Sequence, residues 1–141
     1  MAHGFQIGSG RCRSPGRQHL GVASYPLLQV AVEERHEGVV VVSLEGEVDM
    51  STAGLLRRAT HDAVETRPRT LVVELSGLTF CGSTGLVALM EARDHADRRG
   101  VGFGTAGGRP IMRRVLEITG FGPALRHCDT LEDALTAAAA G

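Results

Sequence analysis

The chain has 141 residues, enough for one compact domain and too few for two comfortable ones. Hydrophobic residues make up 43%, but aromatics only 4% and tryptophan is absent, so the core must be aliphatic. All 15 basic residues are arginine and the formal net charge is −1, which offers no charged surface for nucleic acid. The charge is unevenly placed. Residues 1–26 hold Arg11, Arg13 and Arg17 and no acid, whereas residues 27–141 hold 12 arginines against 16 acids, a net of −4. Cys12, Cys81 and Cys128 show no CxxC spacing, which points to a reducing cytosol. No apolar run approaches the roughly 18–20 residues of a membrane span. The N-terminus lacks the apolar segment of a secretory leader. A cytoplasmic location is the expectation.

Residues 1–26 are rich in Gly, Ser, Pro and Arg and lack periodicity, so a disordered extension is expected there, with one domain over 27–141. Order is expected from Leu27. Leu28, Val30 and Val32 alternate with polar or small residues as in a half-buried strand, and Val39 to Leu44 returns as a second strand after the Glu37-Gly38 turn. Asp49 or Ser51 can cap a helix running to about Glu65, with Leu55, Leu56, Ala59, Ala63 and Val64 inward. Leu71 to Leu75 is a near-continuous apolar run, the signature of a strand buried on both faces. A short loop leads to a helix at 83–98 with Leu86, Leu89, Met90 and Ala96 on one side, ended by Gly100. Val101 to Ala106 reads as a glycine-rich strand. Pro110 opens a third helix with Ile111, Met112, Val115, Leu116 and Thr119 on one face, stopped by Gly120. Leu125 to Cys128 is a short strand, and Asp129 or Thr130 caps a last helix. The order ββαβαβαβα predicts an α/β fold: a mixed sheet of about five strands with four helices packed on it.

Ser83-Thr84-Gly85 stands where a strand hands over to a helix. A helix N-terminus carries unpaired N–H groups and about half a positive charge, so it suits an anion. A phosphate attached to Ser83 would be held there; the plainer role for Ser83 is an N-cap. Gly102-x-Gly104-x-x-Gly107 fits the dinucleotide pattern literally, but its first two glycines lie inside a predicted strand and no leading βαβ unit surrounds it. The histidines, His3, His19, His36, His61, His95 and His127, are scattered without HxH or HExxH spacing, so no metal site is expected. No GxSxG elbow is present. Neither catalytic residues nor a cofactor are expected. Cys81 and Cys128 read as buried apolar residues; a redox pair between them needs Cα atoms within about 7 Å.

Four segments, in order, resemble the STAS domain (sulphate transporter and anti-sigma factor antagonist), and within it the bacterial anti-sigma factor antagonists. Gly46-Glu47-Val48-Asp49-Met50-Ser51-Thr52-Ala53 looks like the family's turn into its first helix. Phe80-Cys81-Gly82-Ser83-Thr84-Gly85-Leu86 resembles its phosphorylation loop. Pro110 followed by Val115-Leu116-Glu117-Ile118-Thr119-Gly120-Phe121 resembles its third helix and exit, and Thr130-Leu131-Glu132-Asp133-Ala134-Leu135 its closing helix. The resemblance implies a binding protein and not an enzyme. It implies a partner, an anti-sigma factor that is also a serine kinase, and a phosphatase that reverses the modification. Ser83 corresponds to the phosphoacceptor, with Thr84 second. Asp49, Ser51, Gly82, Ser83, Thr84 and Gly85 correspond to the partner-binding surface, on a monomer or weak dimer. In one departure, Gly82 stands where the family usually has the Asp that helps present the hydroxyl. The alternative within the family is a STAS interaction module with no phosphoswitch, in a sensory or ABC-transport complex.

Overall fold

A computed structural model describes residues 5–7, 12–14, 17–24, 27–36 and 38–140, with side chains placed over 27–35 and 38–138. In chain order the strands and helices are β1 (Phe5–Ile7), β2 (Cys12–Ser14), β3 (Arg17–Ser24), β4 (Leu28–His36), β5 (Val39–Val48), α1 (Ala53–Glu65), β6 (Thr70–Cys81), α2 (Ser83–Arg98), β7 (Gly102–Ala106), α3 (Pro110–Thr119), α4 (Phe121–Ala124), β8 (His127–Cys128) and α5 (Leu131–Ala140). One mixed sheet runs β1-β3-β4-β5-β6-β7-β8, with β2 also on β3. The pairs β3/β4 and β4/β5 are antiparallel, while β5/β6, β6/β7 and β7/β8 are parallel.

The two apolar runs sit at the centre of this sheet because both faces there are covered. On β5, Val40, Val42 and Leu44 join Leu71, Val73 and Leu75 of β6 in the larger core under α1, α2 and α3. The alternate residues Val39, Val41 and Val72 face a smaller core with Ala134, Leu135 and Ala138 of α5. Each fully buried leucine contributes on the order of 1.5–3 kcal/mol, so an aliphatic core suffices without tryptophan.

The sequence expectation holds for all four long helices and for β4, β5, β6 and β7 as elements, and it departs from the structure in five places. Residues 1–26 were expected to be disordered, yet β1, β2 and β3 lie among them, and β3 pairs with β4 from Gln18↔Glu34 to Ser24↔Gln29. The physical reason is the free edge of β4, whose N–H and C=O groups need partners that apolar periodicity does not advertise. The loop expected after Leu75 is strand as far as Cys81. Two register slips against β5 let Ser76 and Gly77 belong to it, and a side chain on Gly77 would meet the Leu44 carbonyl at 2.6 Å. The strand expected over 125–128 is shorter, because one helical turn, α4, follows the left-handed Gly120 directly. Thr52, not Asp49 or Ser51, is the N-cap position of α1. On α3, Met112 and Leu116 are buried, but Ile111 is 64% exposed. At the last helix Thr130 Oγ1 accepts from the Asp133 N–H at 3.0 Å, as expected of a cap.

Leu71→Ala should therefore lower the unfolding free energy by about 2–5 kcal/mol, while Ile111→Ala should change it by no more than about 0.5 kcal/mol. Urea denaturation of the full chain measures both; a comparable loss at Ile111 would contradict this placement of α3.

Candidate functional site

The site begins where β5 and β6 end together. Val48 pairs with Cys81, and the Gly82 N–H donates to the Val48 carbonyl at 2.9 Å. From this edge β5 turns into α1 and β6 passes through Gly82 into α2, so two helix N-termini open at the same end of the sheet. Neither carries an acidic residue in its first turn nor a side-chain cap.

The turn after β5 is closed by its own polar groups. The Asp49 carboxylate accepts from the Ser51 N–H at 2.9 Å and the Ser51 hydroxyl at 2.7 Å. Thr52 Oγ1 accepts from the Asp49 N–H at 2.9 Å and donates to the Glu47 carbonyl at 2.9 Å. The Ser51 hydroxyl, helped by the Ser51 and Thr52 backbone, holds the Asp49 carboxyl below its ordinary value, so it stays ionised. Asp49 and Ser51 are thus engaged with each other. The turn presents Met50, 85% exposed, and Ser51 to solvent.

Gly82 is the extended N-cap of α2 (φ −81°, ψ −177°), and Ser83 is the first helical residue. The plainer reading of Ser83 as the cap is corrected: its hydroxyl lies one position inside the helix and is exposed, and Thr84 is half-buried. Gly85 is buried. A Cβ there would lie 2.6 Å from Cys81 Sγ and 2.8 Å from Val48 Cγ1, so only glycine lets α2 sit directly on the strand ends. Gly85 therefore positions the surface instead of forming it. Gly82 has room for a side chain at the expense of a small shift, since its Cβ would lie 3.3 Å from the Phe80 ring.

Sequence patterning missed the apolar part of this surface. Phe80 is 51% exposed and Val87 is 47% exposed. Phe80 precedes Ser83 by three residues, and Val87 stands one helical turn after it. With Met50, in the turn after β5, they leave large apolar side chains exposed at the same end of the sheet as the Ser83 hydroxyl, an arrangement that favours a protein partner. The only sequence signal was their polar-facing register, which becomes visible once the elements are paired.

Other candidates take structural roles. Gly102 and Gly104 lie within β7, and a Cβ on Gly102 would meet Thr70 Oγ1 at 2.9 Å. Gly107 is left-handed (φ +74°) against Glu74 and Ser76. The glycine pattern is thus tight packing. Cys81 borders the larger core and Cys128 the smaller one. Cys128 pairs with Ala106, which pairs with Glu74 of the strand that carries Cys81. Two strand spacings alone separate them by about 10 Å, beyond the roughly 7 Å that a disulfide spans. The redox pair considered from sequence is corrected on this ground. Burial pushes the Cys81 thiol up to about 11, so it is protonated and unreactive at pH 7. Burial also raises the Cys128 thiol. Alkylation of Cys81 should keep rising with pH past 9.0, the ordinary thiol value; a plateau there by peptide mass analysis would contradict the burial.

Comparison with known proteins agrees with this geometry. The STAS domain family model matches residues 31–134. The anti-sigma-F factor antagonist RsfB of Mycobacterium tuberculosis is 36% identical over 106 residues, covering 75% of this chain and 86% of that protein. RsfA of the same organism, also named an anti-sigma-F factor antagonist, is 30% identical over 111 residues, covering 76% and 85%. The crystal structure of an anti-sigma factor antagonist from Mycobacterium paratuberculosis superposes with a TM-score of 0.73 at 39% identity, covering 82% of this chain and 97% of that one. The chain belongs to the STAS domain family.

Proposed function

We propose that this protein is an anti-sigma factor antagonist: a binding protein that captures an anti-sigma factor through the surface around Ser83 and so frees a sigma factor. The observation that carries this reading is the exposed Ser83 hydroxyl at the uncapped start of α2, flanked by exposed Met50, Phe80 and Val87. The relatives named as anti-sigma-F factor antagonists support it.

The switch is phosphorylation of Ser83 by an anti-sigma factor with serine-kinase activity, reversed by a phosphatase. The helix start tolerates the phosphate, because its N–H groups and dipole favour an anion and no acid stands in the first turn. The fold therefore survives modification. The contact does not, because a phosphoserine adds about −1.5 to −2 charge amid an apolar surface that a partner must desolvate. Gly82 supplies no acid to present the hydroxyl, so modification is expected to be slow rather than absent. Such partners act in the cytoplasm, and no helix among the described residues is long and apolar enough to cross a membrane. The missing acid at Gly82 favours a second reading, a STAS module of a sensory or transport complex that binds without a switch.

Two variants separate these readings. Ser83→Ala should bind the anti-sigma factor as tightly as the unmodified protein, and Ser83→Asp at least about tenfold more weakly, by calorimetric titration. Equal affinity for both variants would favour the module without a switch. Gly82→Asp should raise the rate of phosphate incorporation several-fold, read by intact mass with kinase and Mg-ATP. The Phe80 ring need yield only a few tenths of an ångström. An unchanged rate would remove the presenting role assigned to that position.

A further inference from the structure

At the far end of the α1/α2 pair from Ser83 the structure holds a cluster that the sequence conceals. His61 and Glu65 are four residues apart on α1, hence on one face and one turn apart. His95 comes from the facing side of α2. One ligand atom from each of the three lies within 4.8 Å of the others. His95 Nε2 is 2.9 Å from Glu65 Oε2, and the two imidazoles stack at 4.6 Å with an 8° interplanar angle. They stand in the wall of a groove of about 580 Å3 between the two helices.

We propose that His61, Glu65 and His95 form a three-ligand site for a divalent transition ion, zinc foremost, that clamps α1 to α2. Two imidazole nitrogens and one carboxylate are the donor set such ions take, at about 2.0–2.2 Å each. Tetrahedral ligand atoms around such an ion stand roughly 3.4 Å apart. One ligand atom from each residue already lies within 4.8 Å of the others, so closure requires that the His61 ring turn its nitrogen inward and that Glu65 offer the oxygen Arg99 does not hold. His61 is exposed and can turn once it leaves its stack on His95. Asp62 Oδ1 lies 3.7 Å from His61 Nδ1, and a small side-chain turn would bring it to the hydrogen bond by which an outer carboxylate orients a metal-bound imidazole. Arg99 Nε pairs with Glu65 at 3.1 Å, but on Oε2, the oxygen that His95 also uses. Glu65 Oε1 has no protein partner among the described residues and is open to an ion. The helices themselves are held in place one turn earlier by Arg57 Nε on Glu91 Oε1 at 2.8 Å. The fourth coordination position opens to the groove and takes water.

A structural alternative is that the cluster is only a surface ion pair, His95–Glu65–Arg99, beside a stacked ring. Cobalt and zinc titrations of the full chain distinguish the two. The proposal expects Zn2+ to raise the thermal unfolding midpoint with saturating dependence on its concentration. It expects Co2+ to give the intense visible bands of a four-coordinate ion, without a sulfur-to-cobalt charge-transfer band. His61→Ala and His95→Ala should each weaken Zn2+ binding by at least about tenfold, while metal-free circular dichroism stays unchanged. Should His95→Ala unfold, exposed His61 still carries the test. Glu65→Gln, which keeps the shape and removes the charge, should weaken binding in the same direction. Equal affinity in His61→Ala and the unaltered protein, or a cobalt spectrum of thiolate ligation, would overturn the site, as would a spectrum of free six-coordinate cobalt.

Discussion

The close approach of Gly85 to Val48 and Cys81 is the contact on which the rest of the site depends. Because β5 and β6 are parallel and their last residues pair, both strands deliver their chains to one edge. A side chain at residue 85 would push α2 off that edge, since no space remains beside Cys81 Sγ and Val48. With glycine the helix starts immediately, and Ser83 is exposed at its first position instead of being spent as a cap. The two bulges in β6 serve the same end. They add residues to β6 relative to β5, and so set which side chains near the edge face inward and which, like Phe80, face out.

That geometry separates two jobs among the motif residues. Asp49, Ser51 and Thr52 bind one another and hold the turn. Gly85 holds the helix against the sheet. Exposed at this end of the sheet are Met50, Ser51, Phe80, Ser83 and Val87. A charge placed on Ser83 falls within an apolar contact, while the helix start offsets its cost to the fold. On the proposed reading, one modification would leave the fold intact while lowering affinity, which is what a reversible switch requires.

Most of this fold was legible in the sequence because burial imposes periodicity. Val39–Val42 is uninterrupted, and Leu71–Leu75 is broken only by Glu74, because both sheet faces are covered, and Gly100 and Gly120 end helices where left-handed backbone is needed. What was hidden lacked a local signal. β3 pairs with β4 along its edge, and its sequence carries no apolar periodicity to announce it. β6 outruns its apolar core through Ser76 and Gly77, which fit because of a backbone approach from β5. His61 and His95 show no ligand spacing because they meet only when α1 packs on α2. Ile111 and Thr119 were assigned inward by periodicity, but the chain turns α3 so that Met112 and Leu116 are buried, Val115 packs against the core, and Ile111 and Thr119 are exposed.

The measurement that tests the central claim most directly is peptide mapping of this protein after incubation with a cognate anti-sigma kinase and Mg-ATP, paired with the affinity of the modified form for that kinase. The account predicts one added phosphate, on Ser83, and a protein that stays folded while its affinity falls at least about tenfold. A phosphate on Ser83 that leaves affinity unchanged would contradict it, as would a stable complex in which Ser83 is never modified.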